Sequence, residues 1–232
     1  MKKAAAILFL FCGIPALMPA VPGAAQVKGY KTIIFQGLEH LSKYEIIEGV
    51  PMKRQKGTIL LDTDVLKKHL AAMRTVKSFS LKEEKRGLVV EISERKARYT
   101  LAVKNRKKLV FLEVDENYKI IARGRLLGGT GPVIFCRRTD LDEGRFSTRV
   151  TAAMKRLAWL RGERKTLYRE LESLSFVAGG KLALTLKGRP TRFITGSAEV
   201  DFRRLEAVAG YCDREKKYPD IVMIEGSRVV VR

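Results

Sequence analysis

Beyond a strongly apolar start, the chain runs in short blocks whose hydrophobic side chains recur every second residue or every three to four, the periods of strands and helices. Lys31–Phe35 is apolar and β-branched and reads as a strand, closed by a turn at Gly37. Ser42, Lys43, Tyr44 and Glu45 make an S-x-x-E capping box, which predicts a helix carrying Ile46 and Ile47. A polar stretch punctuated by Pro51 and Gly57 reads as a loop. Ile59–Leu61 then lead to Asp62, an N-cap for a second helix with Leu66, Leu70 and Met73 on one face. Val76–Lys82 and Leu88–Glu94 alternate with period two around a turn at Lys85, Arg86 and Gly87. Strand, helix, helix, strand, strand is a complete small α/β module. Its two apolar helix stripes are buried only if both helices lie on one face of a three-stranded sheet.

From Ala97 onward sheet dominates. Strands are predicted over Ala97–Val103, Leu109–Val114, Tyr118–Ala122, Val133–Phe135, Ser175–Val177, Lys181–Leu186, Arg192–Thr195, Ile221–Ile224 and Val229–Arg232. Turns are predicted at Asp115–Asn117, Ala178–Gly180 and Glu225–Ser227. Val150, Met154, Leu157 and Leu160 predict a helix over Ser147–Leu160, and a second is predicted over Val200–Gly210. The fold class read from this pattern is α+β.

The first residues carry different information. Lys2 and Lys3 precede an apolar run, Ala4–Ile14, and no further charge appears until Lys28. This is an export signal, and it fits both a cleavable signal peptide and an anchor, because Pro15, Pro19 and Pro22 interrupt it while a membrane span needs about 20 apolar residues. In either form, the chain from about Val27 is expected outside the cytoplasm. Cys12 lies in the apolar run, and Cys136 and Cys212 could pair in an oxidising compartment, although two thiols so far apart in the chain more often read as separate buried residues.

Composition narrows the chemistry. The 232 residues hold 46 Lys and Arg against 25 Asp and Glu, a formal net charge of +21. Hydrophobic residues make up 46% and charged residues 31%, which excludes a disordered chain. Three scattered cysteines and two histidines, His40 and His69, do not make the close ligand pairs of a zinc site. G-x-S-x-G, H-E-x-x-H, G-x-x-x-x-G-K-[ST] and G-x-G-x-x-G are all absent, so a binding protein without catalytic, cofactor or metal residues is expected.

In order and spacing, the residues of the exported region resemble the FtsQ/DivIB bacterial cell-division proteins. Ile33–Leu38, Leu41–Ser42, Glu45–Ile46, Leu60–Asp62, Val76 and Leu88–Arg95 resemble that family's POTRA domain. Val114–Glu116 with Tyr118–Ile121, Gly131–Ile134, Ser175–Leu186, Ile194–Gly196, Phe202–Val208, Asp220–Ile224 and Arg228–Arg232 resemble its β domain. The chain departs from the family pattern in lacking a proline before Val76, a proline near Lys96–Ala97 and an arginine in Asp220–Ile224. The resemblance implies an N-terminal signal anchor or signal peptide over 1–26. A POTRA-like domain with a three-stranded sheet and two helices follows over 27–98, then a mostly-β domain with about two helices over 99–232. It implies a single-pass protein of the inner (cytoplasmic) membrane at the division septum, a non-catalytic divisome subunit. Such a subunit binds FtsB/DivIC-like and FtsL-like partners and helps control septal peptidoglycan synthesis. In that family a partner adds a β-strand to the last strand, here Ser227, Arg228, Val229, Val230, Val231 and Arg232. An apolar strand at a sheet edge offers the unpaired backbone groups that such pairing uses.

Other readings attach to the charge and to minor motifs. A field of this sign attracts polyanions, of which anionic lipid headgroups or wall polymers suit an exported protein better than nucleic acid. The clusters at Lys104–Lys108, Arg161–Lys165 and Asp213–Lys217 carry no interleaved aromatics on which bases could stack. Gly128–Gly131 could cradle an anion, but it precedes a strand, not a helix, and reads as a loop. Outer-membrane assembly, which uses several POTRA-type modules in tandem before a barrel, is a further alternative.

Overall fold

The computed structural model describes residues 27–85, 87–106, 108–129, 131–142 and 144–232. The amino-terminal part contains β1 (Val27–Tyr30), β2 (Thr32–Gln36), α1 (Lys43–Glu48), β3 (Met52–Gln55), β4 (Thr58–Asp62), α2 (Thr63–Ala72), β5 (Val76–Glu84) and β6 (Gly87–Glu94). These build two three-stranded sheets, in the orders β2-β6-β5 and β1-β4-β3. Local chemistry starts both helices. Ser42 and Glu45 satisfy each other's backbone amides at the head of α1 (3.2 and 2.8 Å), and Asp62 accepts from the Asp64 and Val65 amides at the head of α2 (2.8 and 3.2 Å). Ile46, Leu66 and Leu70 then bury against Leu88, Val90 and Ile92 of β6 in one core. The loop between β2 and α1 is pinned by Glu94, whose carboxylate accepts the amides of Glu39, His40 and Leu41 at 2.9, 2.9 and 3.0 Å.

The remainder contains β7 (Tyr99–Asn105), β8 (Lys108–Val114), β9 (Ile120–Arg123), β10 (Val133–Arg137), the small pair β11 (Leu141–Asp142) and β12 (Arg145–Phe146), α3 (Thr148–Glu163), α4 (Lys165–Glu170), β13 (Leu171–Phe176), β14 (Leu182–Leu186), β15 (Arg192–Thr195), α5 (Glu199–Glu215), β16 (Ile221–Glu225) and β17 (Arg228–Val231). Nine strands form one mixed sheet in the order β17-β16-β15-β14-β13-β10-β7-β8-β9. Three of its pairs are parallel: β10 with β13 and β15 with β16 are bridged by helices, α3 with α4 and α5 respectively, while β7 and β10 are joined through the strands β8 and β9. All three helices cover one face. Val150, Met154 and Leu157 of α3, Leu167 of α4, and Phe202 and Leu205 of α5 share a core with Leu101, Ile134, Leu184, Phe193 and Val222. On the opposite face, the loop after β9 folds back over β7–β9, where Leu127 packs on Ile121 and Ala122.

This architecture corrects the expected fold class. The protein is mostly β, with 43% of the described residues in strands and 30% in helices, five helices in all and a large nine-stranded mixed sheet. The expected α+β arrangement of a small POTRA-like module followed by a second domain with about two helices does not describe it. The differences have local causes. Val27–Tyr30 and Met52–Gln55 are polar enough to read as loop, yet both pair with β4, because a strand is stabilised by its neighbour's backbone as much as by its own side chains. Helix α4 has only six residues, below the length at which a 3.6-residue period can be read.

The membrane expectations are corrected as well. Among the described residues no helix is long and apolar enough to cross a membrane, so the transmembrane signal anchor and the single-pass inner-membrane placement find no support. The apolar run on which they rested lies outside the described residues.

Candidate partner-binding edge

Among the described residues, strand β17 has a single neighbour, β16, and forms one edge of the nine-stranded sheet. The hairpin between them turns through Gly226 and Ser227, and Gly226 adopts the left-handed conformation (φ 57°) that a two-residue turn of this kind requires. Register fixes what each residue of the edge presents. Ile221 and Arg232 exchange both backbone hydrogen bonds (3.1 and 2.9 Å). Because hydrogen-bonded and non-hydrogen-bonded pairs alternate along an antiparallel ladder, Val230 and Arg228 also bond inward, to Met223 and Glu225. The amides and carbonyls of Val229 and Val231 consequently point away from the sheet.

Directly paired residues share a face. Val229 and Val231, opposite Ile224 and Val222, stand on the helix side, while Arg228, Val230 and Arg232 stand on the open side. All three valines are accessible, at 47%, 40% and 59% for Val229, Val230 and Val231. Beside them, the carboxyl-terminal half of α5 and β17 enclose an apolar groove of about 790 Å³ walled by Val208, Tyr211, Tyr218, Val229 and Val231. Its wall is braced from behind. Arg189 grips Asp213 through Nε and a terminal nitrogen (2.8 and 2.6 Å) and reaches Glu170 (2.9 Å), and Tyr218 donates to Asp213 at 3.2 Å. The Arg189 bonds hold the Asp213 carboxyl below the usual carboxylate range.

The residues expected at the partner site thus form one continuous surface: Ser227 in the turn, Arg228 to Val231 in the strand and Arg232 bonded to Ile221. The groove beside them was not expected. Its signal in the sequence is that α5 carries a second apolar row, Val208 and Tyr211, beside the core row of Phe202, Leu205, Ala209 and Cys212.

Other candidates resolve into structural roles. Cys136 and Cys212 are separate, buried thiols, and burial pushes the Cys136 thiol up to about 12. The His69 ring packs on the backbone of Gly49, so closely that a Cβ there would lie 2.0 Å from the ring. Gly129 plays a comparable part over β7 and β8. A Cβ at that position would approach the Thr100 hydroxyl at 2.7 Å and both Glu113 oxygens at 3.1 Å, so the loop caps a buried carboxyl and does not cradle an anion. Thr130 of that loop lies outside the described residues.

Glu113 is fully buried, and one of its oxygens has no hydrogen-bond partner among the described residues. Burial holds its pKa above the usual range, opposed by the bond from Thr100 and by His40. A folded-state pKa above the unfolded one contributes stability that is complete below the ordinary carboxyl pKa and is lost as pH rises through the folded value. Glu113→Gln is therefore expected to melt above the parent protein at neutral pH, with the gap closing as pH falls below about 4. Thermal melts across that range check it, and a variant less stable at neutral pH would show that the ionised carboxylate is favoured.

No protein-family model matches this chain, and no curated protein matches it.

Proposed function

We propose that the protein is a non-catalytic subunit of the bacterial divisome, similar to FtsQ/DivIB proteins, that captures a strand of an FtsB/DivIC-like partner on β17. It would hold that partner with its FtsL-like companion as part of the control of septal peptidoglycan synthesis. The carrying observation is the exposed Val229–Val231 edge with two outward-facing amides beside an apolar groove. Protein surfaces usually blunt such an edge with inward charges, proline or a covering element. Strand addition supplies backbone hydrogen bonds for affinity, and the groove supplies a pocket for an alternate side chain of the incoming strand. On the open side Arg228 and Arg232 flank Val230, so the expected partner strand is acidic on that side and apolar toward the groove.

Immobilised partner complexes of the FtsB/DivIC and FtsL type test the reading. The full chain is expected to be retained. A chain stopped after Gly226 is expected to bind roughly 100-fold more weakly, a loss of about 2.7 kcal/mol. Equal retention of both, each checked for folding by circular dichroism, would overturn it.

A further inference from the structure

A second recess lies at the far end of the nine-stranded sheet. Its volume is about 500 Å³, and its walls carry Arg74, Lys119, Arg123 and Arg138 over a floor that includes Tyr118 and Leu141. The four cations come from separate stretches: Arg74 from the turn between α2 and β5, Lys119 and Arg123 from β9 and its approach, and Arg138 from the turn after β10. Among the described residues no carboxylate lines the recess, and Arg74, Lys119 and Arg123 form no ion pair. By contrast, Arg149 is matched by Asp140, and Arg189 lies between Glu170 and Asp213.

An excess of cations is unavoidable at a net charge of +21, but on a convex surface they spread apart. Here the fold converges them in a hollow, where low-dielectric walls focus the field and raise the local concentration of anions. The frame is rigid. Asp115 accepts the Lys119 amide at 2.9 Å and is itself paired with Arg95 at 3.1 Å, while the Tyr118 ring stacks on Tyr99 at 5.9 Å. Arg138 donates one terminal nitrogen to the Leu141 carbonyl at 2.6 Å, and its remaining donors together with the Arg74 and Arg123 guanidinium groups suit the tetrahedral oxygens of a phosphate.

We infer that the recess walled by Arg74, Lys119, Arg123 and Arg138 is a binding site for a phosphate ester, either a phospholipid headgroup or a unit of a polymeric glycerol phosphate. This inference is independent of the partner edge, which lies at the opposite end of the sheet.

Calorimetric titration of the full chain with inorganic pyrophosphate at about 0.15 M salt tests it. Saturable binding is expected. The triple variant Arg74→Gln, Lys119→Gln, Arg123→Gln is expected to weaken it by about tenfold or more, or 1.4 kcal/mol. A control, Lys104→Gln, Arg106→Gln, Lys108→Gln, removes the same charge from the exposed β7–β8 hairpin and is expected to change binding by less than about twofold. Circular dichroism verifies that both fold, and the substituted side chains are exposed. Absence of saturation, equal weakening by both triples, or parental binding by the recess triple would each overturn the site. Two further arms assign the source. Selective loss of retention on phosphatidylglycerol vesicles identifies a lipid headgroup, and selective loss on immobilised poly(glycerol phosphate) identifies the polymer.

Discussion

Replacing Val231 with proline is expected to abolish partner capture while leaving the fold in place. The Val231 amide points away from β16, so proline deletes a donor that only an incoming strand would use. Its ring also projects into the space that strand would occupy, and edge positions of this kind accept proline. Loss of one charge-neutral hydrogen bond and the added clash together should weaken binding by at least about 100-fold, or 2.7 kcal/mol. Val230→Pro is the internal contrast. It removes an amide bonded to Met223 and should loosen the β16–β17 hairpin itself. Val230→Asp sits between, because the side chain is exposed and stands between Arg228 and Arg232. The fold should accept the carboxylate while an acidic partner strand is repelled. Surface binding to immobilised partner, paired with thermal melts, separates the three. A Val231→Pro variant that binds like the parent would remove β17 as the site.

Asp140→Ala should produce the largest loss of stability among single polar substitutions. Asp140 is buried in the turn between β10 and α3 and accepts from the Arg137 amide at 2.8 Å, the Ser147 hydroxyl at 3.0 Å and two Arg149 nitrogens at 2.5 and 2.8 Å. The truncation leaves these donors unpaired at the start of α3, whose apolar face closes the main core. Arg149 is half exposed and keeps part of its hydration, so the expected cost is about 2–3 kcal/mol, not the larger cost of a fully buried pair. For a chain of this size that lowers the melting temperature by roughly 5–10 °C. Burial pushes the Asp140 carboxyl up, but the bonds from Arg149, Arg137 and Ser147 outweigh it and hold the pKa below the usual range. A lowered folded-state pKa contributes stability above the ordinary carboxylate range and loses it as pH falls through the folded value. The gap between parent and variant should therefore be constant near neutrality and narrow in acid. A gap independent of pH down to about 2 would show that packing, not charge, is what Asp140 supplies.

The same residues show what can be read without coordinates. The capping box of Ser42 and Glu45, the Asp62 cap, the row of Val150, Met154, Leu157 and Leu160, and the glycine turn at Gly226 each act within one or two turns of backbone. Their physics is local, so their sequence signal is complete. The strand at Arg228–Val231 was legible for the same reason. Its standing as a candidate partner site was not legible in the same way. That depends on β17 having no second neighbour among the described residues and on a ladder phase that turns the Val229 and Val231 amides outward.

Among the strands that escaped sequence reading, which also include β4, β11 and β12, Val27–Tyr30 and Met52–Gln55 lack an apolar alternation and are stabilised by pairing with β4. The nine-stranded order is further from reach. β10 inserts next to β7, after a meander through β8 and β9, and no local residue records which earlier edge a later strand will join. The cationic recess collects Arg74 with Arg138 from points 64 residues apart (138 − 74), and Glu113 is buried by a glycine loop that crosses it from beyond β9. The sequence by itself determined where most helices begin and where several hairpins turn, because caps, turns and periodicity act over a few residues. Tertiary structure alone decided the sheet order, the exposed edge and groove, and the two sites where charge is concentrated or buried, because these arise from pairing and packing between residues far apart in the chain.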